Sequence, residues 1–97
     1  MRAGLVDDGR LARERATLLA DRGAGDSMIA AELEQRGVAD EETRAALALL
    51  EPEADRAARI IDARGRTPGT ARRLAAKGFS DETLESLIAD LSSDAVE

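Results

Sequence analysis

The sequence predicts an all-α chain of two tandem three-helix repeats, about six short helices in helix-turn-helix-like order, and three observations carry that expectation. Its 97 residues are 43% hydrophobic and 35% charged with a single aromatic, Phe79, so a core must come from aliphatic side chains on closely packed helices. Ala, Leu, Arg and Glu, which dominate, are good helix formers. Second, Leu33-Glu34-Gln35-Arg36-Gly37-Val38 lines up with Leu74-Ala75-Ala76-Lys77-Gly78-Phe79 at a shift of 41, which also sets Asp40-Glu41 on Asp81-Glu82 and Leu50 on Leu91. Third, no stretch alternates apolar and polar residues with the period of a strand.

The elements follow in order. Residues 1–7 form a short lead-in, 8–51 the first repeat, 52–91 the second and 92–97 a polar, disordered tail. The first repeat reads as helices over 8–22, 26–36 and 40–50, with Leu11, Leu18, Leu19, Ile29, Leu33, Leu47 and Leu50 among the inward positions. At a shift of 42, Leu18-Leu19 and Arg22-Gly23 match Ile60-Ile61 and Arg64-Gly65. In the second repeat Pro52 suits a first helical position, Ala57, Ile60, Ile61 and Arg64 share a face, and Gly65 ends that helix. Thr67 caps the next, with Pro68 at its first position and Ala71 and Leu74 pointing inward. Lys77-Gly78 is a helix exit, a cation near the carbonyl end followed by a residue that accepts positive φ. Ser80 caps the last helix, where Leu84, Leu87, Ile88 and Leu91 turn inward and Phe79 packs on Leu84 as a hydrophobic staple.

Much chemistry is excluded by absence. With no histidine and no cysteine there is no Ser/His/Asp or Cys/His nucleophilic site and no ordinary zinc site. Asp7-Asp8, Asp40-Glu41-Glu42 and Asp81-Glu82 lie where helix dipoles favour acids, so capping explains them better than catalysis or metal binding. Gly23-Ala24-Gly25 before a helix resembles part of a phosphate loop, but Met28 stands where a third glycine would and no strand precedes it; a helix-to-helix turn is the better reading. The expectation is a protein without catalytic residues, metal or cofactor. No apolar run approaches the roughly 20 residues of a membrane span, and no signal peptide opens the chain. Together with the lack of cysteine, this predicts a cytoplasmic protein with no membrane partner.

The net charge of −6 conceals segregation. Residues 56–77 hold Arg56, Arg59, Arg64, Arg66, Arg72, Arg73 and Lys77 against one acid, Asp62, whereas 80–97 hold acids and no base.

Two places resemble the RecX family of regulators of the RecA recombinase. Gly4-Leu5-Val6-Asp7-Asp8-Gly9-Arg10-Leu11-Ala12 is similar to the family's Asp-Asp-x-x-aromatic-Ala entry into its middle repeat, with Leu11 in place of the aromatic. The second is the recurring pattern of Gly25, Ile29, Leu33 and Gly37, then Leu74-x-x-Lys77-Gly78-Phe79-Ser80. The likeness runs from Gly4 to Leu91 and matches the second and third of the family's three repeats, which implies a short member or a fragment of a longer one. It also implies regulation of recombination and DNA repair, in the setting of the SOS response, by binding the filament of RecA on single-stranded DNA, with weak or no binding to DNA alone. Family members are commonly basic, and this chain is acidic.

The basic segment is where an acidic partner is expected, through Arg56, Arg59, Arg72, Arg73 and Lys77. Arg56 and Arg59 flank the inward face of the fourth helix, and Arg73 and Lys77 form an i, i+4 stripe on the fifth. The first repeat carries Glu14 and Glu32 at the places of Arg56 and Arg73, so only one outer surface has this charge. The plainer reading is a solvated face balanced by neighbouring acids. Two further functions compete with filament binding: a DNA-binding helix-turn-helix protein and a helical protein–protein scaffold unrelated to recombination. The net charge and the lack of a dimer seam weigh against the former and favour a monomer.

Overall fold

The computed structural model describes residues 8–87. Helices α1 (Asp8–Asp21), α2 (Asp26–Gln35), α3 (Asp40–Ala48), α4 (Glu53–Arg64) and α5 (Pro68–Ala76) follow one another, and 81–87 form α6. Among the described residues there is no strand, and no helix is long and apolar enough to cross a membrane. The protein is all-α. The lead-in 1–7, the tail 92–97 and the inward positions Ile88 and Leu91 lie outside the described residues.

Local chemistry explains the boundaries. Thr67 Oγ1 accepts a hydrogen bond from the Thr70 amide (3.1 Å) with Pro68 opening α5, and Ser80 Oγ accepts one from the Thr83 amide (3.1 Å) at the start of α6. Pro52 is the cap of α4 rather than its first residue. The exits of α2 and α5 are alike. Gly37 and Gly78 have φ of 84° and 93°, their amides bond to the Glu34 and Ala75 carbonyls, and the next amides reach Leu33 and Leu74. The pair Gly23 and Gly65 differs: Gly23 N–H bonds to Ala20 O and Ala24 N–H to Leu19 O, while Gly65 N–H closes a bond to Ile61 O and α4 simply stops. The 41-residue match therefore extends to backbone detail, and the 42-residue match does not.

Two apolar clusters form. Helix α1 packs on α2 and α3, enclosing Ala12, Ala16, Leu19, Ile29, Leu33 and Ala46; α4 packs on α5, and Ala57, Ile61, Leu74, Phe79 and Leu84 make the second cluster. Phe79 is 4% exposed and shares its cluster with Leu84, as a staple requires. Leu11 and Leu18 are a correction, since both are exposed on α1. The helix is apolar on more than one side. Its two neighbours seat the small i, i+4 pair Ala12 and Ala16, which allows closer approach of the backbones than a leucine stripe.

Candidate functional site

The site is built where the two clusters meet, at the loop before α2 and the exit of α5. The amides of Gly25 and Ser27 donate to the carbonyls of Lys77 (2.8 Å) and Gly78 (3.2 Å), and the Asp26 amide donates to Glu53 Oε2 (2.8 Å). Glu53 Oε1 also accepts from the Ser80 amide (3.2 Å) and the Thr83 hydroxyl (2.8 Å). One carboxylate on α4 thus caps α2 and α6 together. Burial pushes the Glu53 carboxyl up, but hydrogen bonds from Asp26, Thr83 and Ser80 outweigh it and hold it below its ordinary value. The amides of Gly25, Asp26 and Ser27 are thus spent on acceptors within the chain, as in a turn that doubles as a docking loop.

Arg56 belongs to this joint. It was expected on the partner-facing surface, and instead its side chain is 9% exposed. Its Nε donates to Glu51 O (2.9 Å), Nη1 to Ala24 O (3.0 Å) and Nη2 to the Asp26 carboxylate, while the guanidinium carbon lies 5.9 Å from the centre of the Phe79 ring. All three guanidinium nitrogens donate within the chain, which commits Arg56 to the joint. Burying it leaves no charge unpaired.

The other four expected residues are accessible but do not form one set. Arg59 is 72% exposed and pairs with Glu51. It borders a cleft of about 410 Å³ between α1, α4 and the end of α3, with Leu49, Leu50 and Ile60. Arg73 and Lys77 line an adjoining cleft of about 180 Å³ together with Arg22 and Arg64. Asp21, Gly23 and Ile60 belong to both, so the two make one continuous groove. Arg72 is exposed and borders neither. None of Arg22, Arg64, Arg73 and Lys77 forms an ion pair among the described residues.

The sequence reading missed Arg22 and Arg64 as members of this cluster. Their signal was present, because they are paired positions at the exits of α1 and α4. Cations there also complement the carbonyl ends of their helices. Glu53 had no signal, since its partners lie 27 and 30 residues away. Among the described residues no three potential metal ligands gather. Chemically the groove offers charge and an apolar strip, and the carboxylates that line it, Asp21 and Glu51, are exposed. No family model matches the chain, and neither a curated protein nor a solved structure matches it.

Proposed function

We propose that this chain is a RecX-like modulator that docks on the RecA–DNA filament through its basic groove, using Arg59, Arg73 and Lys77 with Arg22 and Arg64, and Arg72 at the margin. The observation that carries the reading is the gathering of four cations without ion pairs on one face of a chain whose net charge is −6. Unspent cations on an acidic protein are suited to an acidic target, and Arg binds carboxylate and phosphate equally well through its planar fork. The resemblance of Gly4 to Leu91 to RecX repeats supplies the identity of that target, and with it a role in recombination and DNA repair.

The test is binding to single-stranded DNA, to RecA and to the assembled filament in parallel. Preference for the filament supports the reading, while equal affinity for bare DNA points to a helix-turn-helix protein. Leu49 favours one further reading, a scaffold for protein contact, because a leucine 70% exposed beside the cations has no use in holding phosphate.

A further inference from the structure

We infer that the groove recognises an acidic peptide segment carrying aliphatic side chains, and not the nucleic-acid backbone. This deepens the reading above by naming what the same surface holds, and its test uses no recombinase, so the two can fail separately.

Part of the lining is an apolar strip. Leu49 is 70% exposed, and Leu50 and Ile60, from either side of the joint, are half-buried beside it. Arg22, Arg64, Arg73 and Lys77 stand at one end without ion pairs among the described residues, while Arg59 at the other is paired with Glu51. A ligand must therefore bring negative charge to the unpaired cations and aliphatic surface to the rest. A phosphodiester strand supplies the first and not the second. It would also need stacking partners for its bases, and the sole aromatic, Phe79, is 4% exposed. Asp21 lies between the two clefts, where it would repel a continuous run of phosphates. A peptide spaces its carboxylates, so it can place them on the unpaired cations and pass an alkyl group over Asp21. Apolar surface flanked by cations is the arrangement by which amphipathic acidic segments are held.

The experiment uses a fluorescein-labelled peptide of about 12 residues, the length of a short docked helix, made of Glu and Asp with Leu at i, i+3 and i+7. Comparison probes replace its Leu by Ser or its acids by Gln and Asn, and a labelled oligo-dT is titrated alongside. The peptide should bind, and each replacement should weaken it at least about tenfold, as loss of a central anchor does. On the protein, Leu49→Ser and, separately, Arg64→Glu with Arg73→Glu should weaken it to a similar degree, with the helical signal unchanged. All three side chains are exposed, so folding should survive. Oligo-dT binding as tight as the peptide, lost on charge reversal and indifferent to Leu49→Ser, overturns the inference. So does failure of the peptide to bind at all. A change in sedimentation of the isolated chain on Leu49→Ser also overturns it, by showing that a second copy covers this face.

Discussion

Arg56 and Arg59 sit less than a turn apart on α4 and do opposite work. Arg56 holds the Ala24 and Glu51 carbonyls and the Asp26 carboxylate, whereas Arg59 has one carboxylate at the surface. Arg56→Ala leaves those acceptors without their buried donor and should cost about 3 kcal/mol. Arg59→Ala should change stability by about 0.5 kcal/mol or less. Urea melts of the two variants measure the contrast, and equal costs would contradict the roles given to them. Phe79→Ala removes the ring beneath Arg56 and the staple on Leu84, and should cost about 3–5 kcal/mol. Glu53 gives the acid response its sign. Its folded pKa lies below the ordinary 4.5, so its stabilisation is present above that value and is lost as pH falls through the folded one. Glu32 behaves in the same way, held down foremost by the Arg15 guanidinium (2.6 Å) and further by Arg36. Acid titration of the wild type should therefore show stability falling below about pH 4.5. Glu53→Gln should start less stable at neutral pH and lose less on acidification. An unchanged acid slope in that variant would remove Glu53 from the joint.

Among the elements, the exit of α5 is the one on which the fold turns. A Cβ at Gly25 would lie 2.4 Å from Gly78 C and Phe79 N, and one at Gly78 would lie 2.6 Å from the Met28 amide nitrogen. The obstructing atoms are backbone and cannot swing aside. Gly37 has the same positive φ but open space around its Cβ position. Gly37→Ala should thus cost only the left-handed conformation, about 1–2 kcal/mol, and Gly78→Ala should cost more because the α2 loop must also withdraw. Gly25→Ala, with no positive φ to strain, isolates the close approach. If all three variants melt alike, the docking of α2 on the α5 exit is wrong. Helix limits such as those of α2 and α5 were legible in the sequence because caps, prolines and exit glycines act within a few residues of where they stand. The close approach was not. Gly25 and Gly78 each look like an ordinary turn residue, and only the fold brings them together. The inward face of α1 was misread for a different reason: Leu11, Leu18, Ala12 and Ala16 make two competing apolar stripes, and the neighbours decide which is buried.

For the molecule as a whole, two small clusters with alanine at many buried positions leave a modest surplus over chain entropy. Among the described residues the large fully buried side chains are Ile29, Leu33 and Leu74, each contributing about 1.5–3 kcal/mol. Global stability should fall toward the low end of the roughly 5–15 kcal/mol usual for domains, which the same urea melts would measure. The segregated charge that marks the groove was legible in the sequence; which cations share it was not. Arg73 and Lys77 were expected together and are, Arg56 is withdrawn into the joint, and Arg22 joins from a distant helix. A charge-reversal control belongs on α1 at Glu14, which is exposed and, among the described residues, paired to Arg10 of its own helix, because Glu32 links Arg15 and Arg36. The proposed docking of this groove on a recombinase filament is tested by titrating the RecA–DNA filament with wild type, Arg59→Glu/Arg73→Glu and Glu14→Arg at low and physiological salt. The wild type should bind, and its binding should weaken as salt rises. The double reversal should bind at least about tenfold more weakly with a shallower salt dependence, and Glu14→Arg should bind like the wild type. Filament affinity and salt dependence left intact by the double reversal would rule out docking through this groove, and so would a wild type that does not bind the filament.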